Sequence, residues 1–413
     1  MDHCLSEPAG LLTVPEARQI LAATISAVSA SETVRLKQAA GRVLSESVNS
    51  PINLPFDDNA SMDGYAFASS ECRHGQAFSL ELAGVSWAGQ PFAGAVPAGQ
   101  CVRIFTGAVL PKNTDSVIMQ EQVRAKGSTI YFPAQAPVYN NIRTAGEDIK
   151  QGELLCPAGK KLTAYDIGLL ASAGIYQISV KRKIRIAFFS TGDELRRVDQ
   201  PLDSGKIYDS NRYLLADLLN DRCFSVSDCG IFPDDKLVLE KTLLDAANLY
   251  DVIITTGGAS IGDADFIQEI LANCGQINFW KLAIKPGKPL AFGSIGPCLF
   301  FGLPGNPISV VVTFQQILAP ALRLLSGAPV SKPLRVKATC TSRLKKIPGR
   351  LEFQRGILTQ NDDGDCFVAS AGKQGSHILG SLSRANCFIV LPADCAGVPA
   401  GGEVIVEPFA TTI

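Results

Sequence analysis

Histidine and net charge are the two features that this chain most nearly lacks. Its three histidines, His3, His74 and His377, lie far apart, so a histidine-rich zinc or iron site would need an unusual convergence. A bound metal is therefore expected on oxygen ligands. Lysine and arginine total 38 against 39 aspartates and glutamates, and this balance leaves no global field to attract nucleic acid or an anionic membrane.

Signals for disulfides, export and membrane insertion are also missing. The 12 cysteines form no C-x-x-C pair, and several, such as Cys101 and Cys298, lie in apolar runs, which predicts reduced core thiols. Residues 1–10 contain no apolar signal segment, and no uninterrupted run of about 18 apolar residues occurs. These absences predict a soluble, cytoplasmic protein without a membrane anchor.

The length and the residue pattern predict several domains. One hydrophobic core rarely fills more than roughly 250 to 300 residues, so 413 residues predict two to four domains. Residues 15–30 predict an amphipathic helix, residues 51–145 a small β-rich domain, and residues 165–173 a second helix. After residue 325, alternating polarity predicts a C-terminal β-barrel or sandwich, with strands at 335–341, 352–359, 366–371, 387–391 and 403–407 and a hairpin turn at 361–364.

Between residues 184 and 325, strands and helices alternate. We predict strands at residues 184–190, 224–232, 251–256, 277–284 and 298–301, and helices at 211–220, 236–248, 263–273 and from about 308. Such alternation predicts a doubly wound, mainly parallel sheet. Because ligands bind beyond the carboxyl ends of the strands of such a sheet, the loops that follow the strands are the candidate site.

The strand-end loops carry charges of both signs. Three of them bring pairs of acidic residues, namely Asp193 and Glu194, Asp234 and Asp235, and Asp263 and Asp265. Later loops supply Lys281, Lys285 and Lys288, and residues 302–307 form a rigid turn before a helix whose N-terminus can receive an anion. Carboxylates beside a phosphate repel it unless a divalent cation lies between them. The residues therefore predict a Mg²⁺-assisted site for a phosphorylated small molecule.

Each part of this site also has a simpler explanation. Asp234 or Asp235 could cap the following helix, and Lys281 could be a solvated edge residue. Residues 258–262 match the G-x-S-x-G nucleophile elbow, but the downstream His377 lies in the predicted C-terminal β-domain, which disfavours a serine hydrolase. The sequence contains no P-loop motif, and no G-x-G-x-x-G motif follows the first strand.

Outside the sheet, residues 61–66, 103–108 and 146–149 read either as ordinary turns or as functional loops. Together with the strand-end loops, these segments closely resemble the molybdopterin molybdenumtransferase family, which acts in the final step of molybdenum cofactor biosynthesis and is related to the E domain of gephyrin. The resemblance covers nearly the whole chain, through residues 57–66, 103–121, 146–154, 189–211, 251–265, 279–292, 302–314, 344–356 and 372–377.

The resemblance implies a reaction and an architecture. Molybdate would be inserted into the dithiolene of adenylylated molybdopterin, with Mg²⁺-dependent cleavage of the phosphoanhydride and release of AMP. A homodimer is implied, with four regions: an elongated discontinuous region (1–50 and 146–180), a small β-rich domain (51–145), an α/β molybdopterin-binding domain (181–328) and a C-terminal β-barrel (329–413). The implied protein partners are a molybdopterin adenylyltransferase and molybdoenzyme maturation proteins.

The resemblance also assigns site residues by motif position. The polar and acidic functional residues would be Asp63, Thr106, Asp148, Glu194, Asp234 and Asp265, of which Glu194, Asp234 and Asp265 would hold Mg²⁺. Substrate contacts would come from Ser260, Lys281, Lys285, Lys288, Pro304, Pro307, Arg355 and Ser376. Since Asp63 and Thr106 are far from the sheet along the chain, we expect a composite site that the partner subunit's small β domain covers.

Two other functions stay open. A gephyrin-like chain could serve as a dimeric scaffold, and a molybdopterin adenylyltransferase uses a related α/β domain. The sequence shows no second enzyme domain or receptor-facing linker, which argues against the scaffold, and the full set of flanking domains argues against the adenylyltransferase.

Overall fold

A computed structural model describes residues 11–72, 75–257 and 266–409 of the chain. At its centre lies a six-stranded sheet, the central sheet. Four parallel strands are neighbours in the order Phe224–Phe232, Ile184–Thr191, Val252–Thr256 and Cys298–Leu303, and they continue into the antiparallel strands Pro289–Ile295 and Gln276–Lys281. The prediction of a mainly parallel α/β sheet is confirmed.

Helices cover both faces of the central sheet because its strands are apolar on both sides. Phe188 and Phe189 are consecutive and buried, and their side chains enter opposite cores, as the two-residue period of a strand requires. One face packs against the helices Val14–Thr24 and Ser210–Leu218 and the core helix, Pro307–Ser326. The other face packs against Lys236–Ala247 and Phe266–Cys274.

The core helix consists of Pro307–Thr313, a π-helical turn at Phe314–Leu318, and Ala319–Ser326. It is the one helix in the described part of the chain that has the length and mean hydropathy, 1.6, of a membrane span. However, 78% of that apolar stretch is buried inside the protein, as in the core helix of a globular domain.

The C-terminal region is a closed five-stranded barrel. Its strands are Val336–Cys340, Leu351–Gln360, Cys366–Ser370, Cys387–Leu391 and Glu403–Pro408, and the barrel closes because Leu351–Gln360 pairs on both sides. A short helix, Leu379–Arg384, lies in the connection between the strands Cys366–Ser370 and Cys387–Leu391. The strand Ile284–Lys285, which belongs to the α/β region of the chain, pairs in parallel with Leu351–Gln360 and joins the two regions.

Two separated segments form the N-terminal region. Strand Ser31–Arg35 pairs with Gln177–Lys181, strand Val48–Asn49 pairs with Leu154–Cys156, and the helix Ala164–Ser172 packs beside them. The intervening small β domain has a six-stranded sheet in the spatial order Ser116–Met119, Gly64–Phe67, Gln100–Ile104, Phe78–Ser86, Thr129–Phe132 and Arg124–Lys126. Two short pairs complete the strands: Asn59–Ala60 with Ile142–Arg143, and Leu195–Arg196 with Ile207–Tyr208.

Several predicted boundaries were wrong. The helix predicted at 15–30 ends at Thr24, because Ile25 is extended and the N–H of Val28 donates to the carbonyl of Leu325 instead of continuing the helix. The strand predicted at 277–284 is two strands in different sheets, Gln276–Lys281 and Ile284–Lys285. Strand Pro289–Ile295 and helix Leu379–Arg384 were not predicted. The eleven cysteines within the described ranges are all free.

Candidate active site

Three strand-end loops of the central sheet meet at one edge. Gly257, at the end of Val252–Thr256, has a φ of +85°, and a Cβ there would lie 2.3 Å from the carbonyl oxygen of Thr191. A side chain would therefore separate the two loops, which explains the glycine. A Cβ on Gly305 would likewise lie 3.9 Å from Gly257 Cα, so the loop after Cys298–Leu303 joins the same edge.

Two residues at this edge, Asp209 and Asn211, were not predicted from the sequence. The side-chain amide of Asn211 donates to the carbonyl of Gly305 at 2.7 Å, and Asp209 caps the helix Ser210–Leu218. Both residues are buried, and Asp209 Oδ2, Asn211 Oδ1 and Thr191 Oγ1 have no hydrogen-bond partner among the described residues. Buried polar atoms are rarely left unpaired without a functional reason. The Asp-Ser-Asn triplet before a predicted helix was the signal available in the sequence.

The acidic side chains come together from two loops. The N–H of Asp234 donates to Asp193 Oδ1 at 3.4 Å, and both residues and Glu194 are exposed. Although Asp234 is exposed as a residue, partial loss of water around its carboxyl raises the pKa, a hydrogen bond from the backbone of Asp193 lowers it, and the negative charges of Asp193 and Glu194 raise it. Asp235 is the residue that caps the following helix, since its carboxylate accepts from the N–H of Val238. Asp234 is therefore free of the capping role.

Two of the three residues expected to hold magnesium, Glu194 and Asp234, lie within the described residues. Asp265, the third expected ligand, and Ser260 lie outside the described residues, as does the G-x-S-x-G segment. Within the described residues, no group of three or more potential ligands has the geometry of a metal site. Asp193, Glu194 and Asp234 are nevertheless hard oxygen donors of like charge near one another, and the charges of Asp193 and Glu194 are among the causes that raise the pKa of Asp234, so their chemistry fits a divalent cation.

The lysine-bearing segment lies between the central sheet and the barrel. Lys281 ends the strand Gln276–Lys281, and Lys288 is half-buried with its carbonyl accepting from the N–H of Leu282 at 2.8 Å. Lys285 is exposed, and its Nζ lies 3.4 Å from Oε2 of the buried Glu352 in the barrel. The three lysines therefore belong to one segment, residues 281–288, which is fixed at both ends by sheets and is called the lysine turn below.

The turn before the core helix contacts the barrel. Pro304 is buried, Pro307 is the first residue of the helix, and the N–H of Ile308 donates to the carbonyl of Ser376 at 3.2 Å. One of the amides at the helix N-terminus is thus already used by the barrel loop that carries Ser376. This loop therefore joins the barrel to the start of the core helix.

Arg355 holds the loop that carries Ser376. Its guanidinium is 1% exposed, with Nε donating to Ser381 Oγ at 3.1 Å and Nη2 donating to the carbonyls of Lys373 and Gly375 at 3.0 Å each. Burial lowers the pKa of Arg355 to about 10. This geometry places Arg355 behind the loop, where it can position Ser376, and not on the surface where an anion would meet it.

Asp63 and Thr106 meet in the small β domain. Asp63 Oδ1 accepts from the N–H and the hydroxyl of Thr106, at 2.8 and 2.7 Å, and these hydrogen bonds lower the pKa of Asp63. Arg103 stands beside them, with Nη1 on the carbonyl of Gly64 and its cation 4.7 Å from the ring centroid of Phe105.

No hydrogen bond or ion pair among the described residues links the small β domain to the α/β region. Asp148 is exposed, its N–H donates to the carbonyl of Leu54, and it contacts neither group of site residues through a hydrogen bond. In one chain, therefore, Asp63 contacts Thr106, Asp234 contacts Asp193 beside Glu194, and no hydrogen bond or ion pair among the described residues connects these two groups.

Comparisons with known proteins identify the architecture. Three family models match in succession: the MoeA N-terminal region (domain I and II) over residues 12–174, a probable molybdopterin binding domain over 187–324, and the MoeA C-terminal region (domain IV) over 337–409. A molybdopterin molybdenumtransferase of Haemophilus influenzae is 43% identical over 97% of this chain and 99% of its own length. The chain belongs to the molybdopterin molybdenumtransferase family.

Other members support the family assignment. A molybdopterin molybdenumtransferase of Nostoc is 35% identical over 91% of this chain and 88% of its own. The crystal structure of the molybdopterin biosynthesis moeA protein from Pyrococcus horikoshii superposes with a TM-score of 0.82 at 29% identity, covering 97% of this chain and all of that chain. The family resemblance expected from the sequence is confirmed, as is an enzyme of molybdenum cofactor biosynthesis.

Proposed function

We propose that this protein inserts molybdate into adenylylated molybdopterin and releases AMP, as a molybdopterin molybdenumtransferase. The observation that supports this most directly is the edge of the central sheet, where one group of carboxylates and one turn of three lysines both follow strand ends. The lysines offset the charge of an oxyanion and of a phosphoanhydride, and the carboxylates provide hard oxygen ligands for a divalent cation.

Magnesium fits the carboxylates of this edge. Glu194 and Asp234 would hold it, with Asp265 as the third ligand expected from the sequence. When bound, Mg²⁺ would neutralise the anhydride of the substrate and polarise its phosphoryl oxygens. The residues of the chain itself bind and orient: Lys281, Lys285 and Lys288 attract the oxyanions, and Arg355 holds the barrel loop.

The site is proposed to be composite, formed across a homodimer. Asp63 and Thr106 are preorganised by their hydrogen bonds, yet no hydrogen bond or ion pair among the described residues joins their domain to the lysine turn of the same chain. A second subunit whose small β domain covers the sheet edge would bring them there. An isologous dimer forms two such sites, each made from both chains.

Subunit complementation tests the composite site. Asp63→Ala and Lys285→Met should each abolish insertion alone. In a composite site, unfolding and refolding the two variants together at equal amounts gives mixed dimers with one intact site and one doubly mutated site. Activity should then recover to about a quarter of wild type, since about half of the dimers are mixed. If each site belonged to one chain, mixing would restore nothing.

Product analysis tests the reaction. The protein is incubated with adenylylated molybdopterin, molybdate and Mg²⁺, and AMP and the molybdenum cofactor are measured together. Insertion releases AMP in step with cofactor, an adenylyltransferase would instead consume ATP, and a scaffold would do neither.

We also propose a reducing, cytoplasmic setting, which the free cysteines support. The proposed partners are the adenylyltransferase, which supplies the small-molecule substrate, and molybdoenzyme maturation proteins, which receive the product.

A further inference from the structure

A buried carboxylate in the barrel faces one lysine of the lysine turn. Glu352 is 5% exposed, and the parallel pairing of Ile284–Lys285 with Leu351–Gln360 places it directly opposite Lys285. Its Oε2 lies 3.4 Å from Lys285 Nζ and accepts no hydrogen bond that meets normal geometry. The ammonium of Lys285 is therefore the closest charge available to this oxygen in the described structure.

The other oxygen of Glu352 is already occupied. Its Oε1 accepts from the amide of Gln354 at 3.0 Å, and the same amide nitrogen donates to the carbonyl of Lys345 at 2.8 Å. Gln354 is itself 4% exposed, so the amide is fixed by the barrel. Glu352 therefore cannot turn its bound oxygen away, and Oε2 is held towards the lysine turn.

A buried carboxylate is costly, so its retention at this position requires compensating interactions. The charge of Arg355 also acts on Glu352, but Lys285 is the partner that forms an ion pair with it. The lysine side chain, in contrast, is about half exposed and has four rotatable bonds, so an unanchored ammonium would sample many positions. The ion pair with Oε2, at 3.4 Å, favours the positions in which the ammonium lies beside the barrel. It therefore narrows the range of positions that the Lys285 ammonium occupies.

We infer that Glu352 is a positioning residue that fixes the ammonium of Lys285 for the substrate oxyanion. This rests on the proposed function, in which Lys285 contacts molybdate or the anhydride. The inference adds a member of the site that belongs to another domain: the barrel contributes a carboxylate that is never in contact with substrate but sets where the lysine stands. It also explains why the lysine turn forms a strand of the barrel sheet.

Glu352→Gln is the informative substitution. The oxygen of the new amide would face the Gln354 amide, because that group only donates, and its NH₂ would then face Lys285. Two donors repel each other, so the ammonium would lose its anchor. Glu352→Asp keeps the charge but shortens the side chain by one methylene, and it should displace the lysine less.

Molybdate binding, measured by calorimetry on the full-length protein, tests the inference without requiring turnover. Lys285→Met and Glu352→Gln should each weaken binding by roughly fivefold, the usual effect of losing one preordered side chain, with Glu352→Asp between wild type and Glu352→Gln. The double variant should bind no more weakly than Lys285→Met, because Glu352 acts through the lysine. Thermal unfolding of each variant identifies any that fail to fold, in which case Glu352→Asp carries the comparison.

Glu407→Gln is the matched control. Glu407 is also a buried barrel carboxylate, 4% exposed, but it pairs with Arg335 and Gln316 and not with the lysine turn. It should leave molybdate binding unchanged. Unchanged or tighter binding in Glu352→Gln, or effects that add in the double variant, would overturn the inference. Normal binding in Lys285→Met would instead refute the oxyanion role of Lys285, which belongs to the proposed function.

Discussion

Replacing Arg355 with methionine separates a positioning role from direct anion binding. The buried guanidinium makes three hydrogen bonds, two of them to carbonyls of the loop that carries Ser376. Burial lowers the pKa of Arg355 to about 10, so the charged guanidinium is desolvated and depends on its hydrogen bonds. Hydrogen bonds to a charged group contribute roughly 1.5 kcal/mol or more each, net of desolvation, so the two bonds to the loop carbonyls hold the loop by about 3 kcal/mol.

This stabilisation should be lost locally, because the two carbonyls can reach water if the loop opens. Two amides report on the loop: the N–H of Ile308 donates to Ser376 O, and the N–H of Ile378 donates to Gly375 O. In Arg355→Met their hydrogen exchange should accelerate by roughly a hundredfold, as expected when an opening free energy falls by about 3 kcal/mol. Mass spectrometry of the peptides that contain these amides measures the change.

The controls distinguish this result from general destabilisation. Arg335→Met removes another barrel arginine, 55% exposed and paired with Glu407, and should leave exchange at Ile308 and Ile378 unchanged. Arg355→Lys keeps the charge but loses the planar fork, so its loop should also open. Wild-type exchange in Arg355→Met, together with lost molybdate binding, would show that Arg355 contacts the anion directly and that the positioning argument is wrong.

Two further predictions concern charges whose pKa values are perturbed. Asp63→Asn retains an acceptor for both hydrogen bonds of Thr106, so its thermal unfolding should match that of wild type. If the carboxylate charge acts in the chemistry, AMP release should fall by roughly a hundredfold. Wild-type turnover would exclude that role. Although burial alone would raise the pKa of Asp251, hydrogen bonds from Arg182 and Arg185 lower it from 3.8 to about 2. Asp251 should therefore contribute about 2 kcal/mol to the free energy of unfolding above pH 4, and this contribution should be lost as the pH falls through about 2. The free energies of unfolding of wild type and Asp251→Asn, measured in urea, should differ at pH 7 and converge near pH 2. A difference that stays constant with pH would contradict the assignment.

The sequence was most informative where local pattern and packing agree. The strands Phe224–Phe232 and Cys387–Leu391 have the predicted bounds. Cys387–Leu391 is an apolar run that is buried throughout, whereas Phe224–Phe232 mixes apolar and polar residues and is the partly exposed edge strand of its sheet. Ile25 and Val28 show the limit of such patterns. Both are buried as predicted, but their spacing also fits an irregular chain, and the carbonyl of Leu325 binds Val28 N–H instead.

The sequence by itself determined the central sheet, the polarity of its strand-end loops and the chemistry that they suit. In a parallel sheet, every loop after a strand reaches the same edge, so charges such as Glu194 and Asp234 could be placed together from their order alone. Only the tertiary structure decided that Lys285 belongs to the barrel sheet, that Glu352 faces it, and that Arg355 lies behind a loop. The Lys285–Glu352 pairing joins residues from different domains, and the contacts of Arg355 join barrel residues that are distant in sequence. Hydrophobic period and turn residues report only on local structure.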